Sequence, residues 1–216
     1  MTAVVRAVNV VHELIPGAGR MTAIDKRPVP GAVRVTALGV AGDRQADTRH
    51  HGGPDKAVYV YAAESAADWA ARLGRDIPPG TFGDNLTTEG LDVDGARIGE
   101  RWQVGDPDTG VLLEVRMPRT PCQNLEARMG IPGFHLQFAE RGQVGAYCRV
   151  LREGAVRSGD PVAVVWRPAH DVSVASMMTG VTAYQMRELL DSGCDLATAV
   201  RRRAQRAVRT EQRRRG

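Results

Sequence analysis

The chain has 216 residues, 43% of them hydrophobic, and 29 Lys and Arg against 25 Asp and Glu give it a net charge of +4. That length accommodates one large domain, or an ordinary domain with a small appendage, around a sizeable core. No run of about eighteen apolar residues occurs, which excludes a transmembrane helix; the opening MTAVVRAVNVVHELIPG is interrupted by Arg6, Asn9 and His12, unlike a secretory signal. A cytoplasmic location is the expectation.

The positive charge is local. Residues 201–216, RRRAQRAVRTEQRRRG, hold eight of the basic residues and one acid, leaving 21 basic against 24 acidic in the first 200. Residues 185–216 contain no aromatic side chain, so the tail lacks the stacking groups of a nucleic-acid site and reads as a solvated helix face. Only two of the 29 cations are lysines, Lys26 and Lys56, both in the first 60 residues.

In chain order, Val33–Leu38, Ala57–Tyr61, Arg101–Val104, Val111–Met117, Val144–Leu151 and Pro161–Val165 read as strands, rich in β-branched residues and bounded by Gly, Pro or Asp. Many short strands with turn signals between them predict a closed or nearly closed barrel. Ser65 and Asp68 have capping-box spacing ahead of AADWAARLG, and NLEARMG and FHLQFAERG predict helices stopped by Gly130 and Gly142. From about residue 170 the pattern turns helical. Thr182 and Gln185 form a second capping box, and Asp195 is placed to cap a last helix in which Leu196, Val200, Arg203 and Ala207 share a face. The expected organisation is mainly β with inserted helices: a barrel domain over 1–168 and a small helical region over 169–216.

Four stretches look richer in polar chemistry than packing requires. DKRPVPGAV (25–33) sets Lys26 and Arg27 before two prolines, and GVAGDRQADTRHHGGPDKAVYVY (39–61) surrounds Gly52 and Gly53 with Arg44, Arg49, His50, His51 and Lys56, a combination suited to an anion such as phosphate. FGDNLTTEGLD (82–92) offers the neutral donors Asn85, Thr87 and Thr88. Ordinary turns are the alternative for each of these stretches.

The fourth stretch is PRTPCQN (118–124). Of the three cysteines, Cys122, Cys148 and Cys194, none forms a CxxC pair, which argues against a disulfide framework or a thiolate zinc site. Pro121 places Cys122 where a strand turns into a helix, with Arg119 three residues before. A thiol there is expected to be partly thiolate, as a nucleophile or a metal ligand requires; an inert buried cysteine is the alternative. No HExxH, GxSxG or GKS/GKT motif occurs, so zincin, α/β-hydrolase and P-loop chemistries have no support.

Taken in order, DKRPV, GVAGDRQAD with HHGGPDKAVYVYA, FGDNLTTEGLD and PRTPCQNL resemble the MOSC domain family, the C-terminal domain type of molybdenum cofactor sulfurases, and in particular a stand-alone bacterial branch of it. The likeness spans about residues 20–167, and the helical remainder is similar to the three-helix appendage of that branch. The resemblance implies a β-barrel like the one inserted in pyruvate kinase, holding a molybdenum–molybdopterin cofactor. It makes Cys122 the molybdenum ligand and catalytic centre, and it makes Lys26, Arg27, His51, Asn85, Arg119 and Thr120 the cofactor-binding set. Asp84 stands where the family motif reads Glu. The implied activity is a molybdenum cofactor-dependent oxidoreductase that reduces N-hydroxylated compounds such as hydroxylamino bases. No flavin, haem or iron–sulfur motif is visible, so electrons are expected from an external reductase, a flavoprotein. A sulfur carrier using a Cys122 persulfide, or a non-catalytic cofactor-binding module, is the alternative. No membrane partner is expected, and the chain is expected to be a monomer or homodimer.

Overall fold

The computed structural model describes residues 2–44 and 53–215; His51, one of the expected cofactor ligands, lies outside the described residues. Within them the strands are β1 (Ala3–Val11), β2 (Ile15–Pro16), β3 (Met21–Thr22), β4 (Lys26–Pro28), β5 (Val33–Thr36), β6 (Gly39–Val40), β7 (Val58–Ala62), β8 (Leu86–Glu89), β9 (Arg101–Val104), β10 (Val111–Pro118), β11 (Ala146–Arg152), β12 (Gly154–Val156) and β13 (Pro161–Trp166). The helices are α1 (Ala63–Leu73), α2 (Gln123–Met129), α3 (Phe134–Arg141), α4 (Val174–Thr179), α5 (Ala183–Asp191) and α6 (Thr198–Arg215).

Seven strands pair in the order β13-β9-β10-β11-β7-β8-β1, and β1 returns to β13, closing a barrel. Closure removes the open edges that a sheet of short strands would otherwise expose. All the pairings are antiparallel except β7 with β8. A parallel pair needs a crossover rather than a hairpin, and α1 lies in that connection. All five residues of β7 are buried, the two-sided burial that a near-continuous apolar run such as AVYVY encodes.

The core fills the barrel and continues under the helices. Trp102, Leu113, Val115 and Ile98 are buried in it, and Tyr61, Trp69, Phe82, Phe134 and Phe138 form an aromatic cluster against α1 and α3 with ring centroids 4.8–6.4 Å apart. Gly130 ends α2 in a left-handed cap (φ 67°), as its sequence position predicts. Gly145 is required twice over, by φ 71° and because a Cβ there would lie 2.5 Å from the Val60 carbonyl.

Two capping expectations are corrected. Strand β7 runs directly into α1, so Ser65 sits inside the helix rather than at its N-cap, and its hydroxyl instead donates to Asp94 at 2.9 Å. Asp195 spends its carboxylate on Arg149 and Arg116. The Thr182–Gln185 box forms as read. In α6 the inward stripe is Val200 and Ala204 with Ala207 and Val208 partly covered, while Arg203 faces solvent; the arginines from Arg201 to Arg214 are all exposed.

Candidate active site

One end of the barrel holds a cavity of about 100 Å³, partly open to solvent. Its position follows from how the barrel strands end. Strand β4 lies antiparallel along the last residues of β1, with Lys26 opposite Val11, and so lays the DKRP segment across the barrel mouth. Gly83 and Asn85 arrive just before β8, Arg119 just after β10, and Cys122 at the N-cap of α2. Tyr59 on β7 and Tyr147 on β11 face each other with ring centroids 5.4 Å apart. The β2–β3 hairpin contributes Arg20, Met21 and Thr22, and the segments before β7 contribute Asp43, Arg44 and Lys56.

Of the expected residues, Lys26, Asn85, Arg119 and Cys122 all line this cavity, as do Arg44 and Lys56. Arg27 and Thr120 do not. Lys26 and Arg27 are neighbours on a strand, so their side chains leave opposite faces; Arg27 is half exposed and reaches Asp25 at 3.1 Å. Thr120 is exposed on the outer side of the strand-to-helix turn. Thr87 and Thr88 are buried in the barrel rather than offered to a ligand, and Thr87 donates to Asp84 at 2.6 Å.

The lining is electrostatically one-sided. Among the described residues it includes the cations Arg20, Lys26, Arg44, Lys56 and Arg119, against one carboxylate, Asp43. Arg119 is 4% exposed, and its Nη1 is buried with no hydrogen-bond partner among the described residues. The guanidinium packs beside the rings of Tyr59 and Phe138, 6.0 and 5.9 Å from their centroids. Aromatic faces recover part of the desolvation cost of a buried cation, but an unsatisfied charged donor remains expensive. An anionic ligand would satisfy it.

The tyrosines and the other cysteines set the rest of the chemistry. Burial raises the Tyr59 and Tyr147 phenols above the ordinary tyrosine range, against the pull of Arg119, so both remain protonated. The Tyr59 hydroxyl donates to the Val144 carbonyl at 2.8 Å. Cys148 is buried inside the barrel, where desolvation pushes its thiol far above the usual range, making it chemically inert. Cys122 is partly exposed at the cavity wall. Asp43, Tyr59, Tyr147, Thr22 and Asn124 complete a lining that the sequence motifs alone did not identify.

The comparisons with known proteins agree with this geometry. The MOSC domain model matches residues 47–163. The Bacillus subtilis (strain 168) protein YflK is 37% identical over 153 residues, covering 71% of this chain and 67% of YflK. A protein named "Reductase" from Gibberella moniliformis is 33% identical over 169 residues, covering 75% of this chain but 29% of that longer protein. The crystal structure of YiiM from Geobacillus stearothermophilus superposes with a TM-score of 0.76 at 27% identity, covering 95% of this chain and 98% of that one. Motif order, barrel topology and these likenesses agree, and the chain belongs to the MOSC domain family.

Proposed function

We propose that the chain is an oxidoreductase that uses a molybdenum–molybdopterin cofactor to reduce N-hydroxylated compounds, with electrons delivered by an external reductase. The observation that carries this reading is Arg119: a buried guanidinium whose Nη1 has no hydrogen-bond partner among the described residues, in a cavity whose described lining has five cations and one acid. A pterin cofactor that ends in phosphate fits such a lining. Cys122 would hold the metal. Lys26, Asn85 and Arg119 would hold the phosphate and pterin, while Tyr59 and Tyr147 exclude water from one wall. Among the described residues no group of three His, Cys, Asp or Glu could hold a metal ion, so Cys122 serves as a metal ligand only if the cofactor brings the others.

When bound, the cofactor supplies a two-electron redox couple. Overall, the N–OH bond of the substrate breaks, two electrons and two protons enter, and an N–H compound and water leave. The residues of the chain anchor the cofactor anion, bind the substrate beside Cys122, and keep the Tyr147 phenol protonated as a neutral hydrogen-bond donor. The name of the fungal relative supports a reductive direction.

The test uses protein purified from cells that make the cofactor, reduced with a viologen dye, and given an N-hydroxylated purine. Formation of the amino product by wild type and its loss in Cys122→Ser supports the reading. Turnover that survives in Cys122→Ser contradicts it.

A further inference from the structure

Asp43 follows β6, where its backbone N–H donates to the Val40 carbonyl at 3.1 Å. It is the one carboxylate among the described residues that line the cavity, and its two oxygens have separate duties. Oδ1 accepts from the Val11 N–H at 3.1 Å, which anchors the side chain to β1. Oδ2 projects between the two donors expected to bind the ligand, accepting from Lys26 Nζ at 2.7 Å and from Asn85 Nδ2 at 2.8 Å. The Lys26 and Asp43 side chains are only 10% and 8% exposed, so this is a shielded pair rather than a surface contact.

One anionic oxygen with an ammonium and an amide converging on it is also how a protein holds a phosphate oxygen. A cation buried in the absence of ligand needs a counter-charge, and Asp43 supplies it. A phosphate cannot reach Lys26 and Asn85 while the carboxylate sits between them, because two anions at that separation repel.

We propose that Asp43 is the resident anion of the cavity. Its Oδ2 occupies the seat of one phosphate oxygen, and an entering phosphate takes over Lys26 and Asn85 while Asp43 turns away on its Val11 anchor. This rests on the reading that the cavity takes a phosphate-bearing ligand. It gives the site a threshold: a ligand must outcompete a carboxylate already in place, which a dianionic phosphomonoester does and a monoanion does not. The coupling is reciprocal, so the ion pair weakens phosphate by the same factor as phosphate weakens the ion pair.

The composition offers a direct probe. Lys26 and Lys56 are the only lysines among 29 cations, so selective labelling of lysine side chains gives two NMR signals, and Lys26 reports this seat despite an arginine-rich surface. The full chain, purified from cells that do not make the cofactor, is titrated with inorganic phosphate at low ionic strength, as wild type, as Asp43→Asn and as Asp43→Ser. Phosphate is expected to move the Lys26 signal in all three proteins, with a midpoint about 5- to 100-fold lower in at least one neutral variant than in wild type. Equal or weaker affinity in both variants means that Asp43 only orients Lys26, and the proposal fails while the anion reading stands. If phosphate moves neither lysine signal in any of the three proteins, the phosphate reading fails and the proposal with it.

Discussion

Asn85 and Tyr59 are joined twice: the Asn85 backbone N–H donates to the Tyr59 carbonyl at 2.7 Å, and the Tyr59 N–H donates to the Asn85 side-chain oxygen at 3.1 Å. The pair fixes the entry to the single parallel step of the barrel, where β7 meets β8, and leaves the Asn85 Nδ2 directed at Asp43 and the cavity. One side chain therefore serves the fold and the site together. Asn85→Ala leaves a buried N–H unsatisfied and is expected to cost about 1–3 kcal/mol of stability, read from urea unfolding, and to reduce cofactor retention as well. A variant as stable and as fully loaded as wild type contradicts this dual role.

Arg119 is expected to behave in the opposite way. A buried cation that lacks an acidic partner among the described residues costs stability in the absence of ligand, so Arg119→Met should make the cofactor-free chain more stable by about 1–2 kcal/mol. The same variant, purified from cofactor-producing cells, should carry no more than roughly a tenth of the wild-type pterin. Loss of stability in the cofactor-free chain, with loading unchanged, would assign Arg119 a purely structural role.

Arg116 is 2% exposed and holds Asp55 at 2.8 Å, Glu114 at 2.6 Å and Asp195 at 3.4 Å. It joins the turn that carries Lys56 to β10 and to the segment leading into α6. Arg116→Leu leaves the buried Glu114 with Arg101 alone, while Asp55 and Asp195 keep Arg149, so the variant is expected to destabilise the chain by about 1–3 kcal/mol. Because Arg116 and Glu114 are both shielded, the part of the loss that their contact contributes should change little between low and moderate salt in denaturant titrations.

Asp84 gives stability a pH dependence of known sign. Its carboxyl is buried and hydrogen-bonded by Asn9, Thr87 and the Gly80 N–H. Burial raises its pKa from the ordinary value of 3.8, with Thr87, Gly80 and Lys26 opposing the rise. The folded chain thus binds this proton more tightly than the unfolded chain, and the resulting stabilisation is full below the unfolded pKa and lost as pH rises through the folded one. Asp84→Asn keeps an acceptor and removes the titration. Its stability relative to wild type should therefore improve as pH rises above the ordinary carboxylate range in urea unfolding, and a pH-independent difference would contradict the assignment.

The sequence reveals those parts of the fold and site that depend on local pattern. AVYVY, VLLEVRM and PVAVV form strands because β-branched runs bounded by turn residues have little else to become. Cys122, Lys26 and Asn85 stand out because their neighbours are poor packing material. Arg27 could have been set aside from the sequence, since adjacent residues on a strand face opposite ways. Asp43 and Tyr59 lie inside the stretch 39–61 that the sequence marks, but nothing in it singles out those two side chains, and Tyr147 has no local signal; only barrel closure brings β7, β11 and the segment after β6 around one cavity. The Ser65–Asp68 box has the right spacing but loses to tertiary structure, because β7 delivers the chain into α1 before Ser65 is reached.

The central claim, that Cys122 holds molybdenum in a cavity built for an anionic pterin, is tested most directly by metal and pterin stoichiometry. The full chain and Cys122→Ser are expressed in cells that make the cofactor, and both are measured by inductively coupled plasma mass spectrometry for metal and by fluorescence for oxidised pterin. The account predicts molybdenum and pterin in near-equal amounts on wild type and loss of the metal from the variant. Wild type without either, or a variant that keeps its molybdenum undiminished, would contradict it.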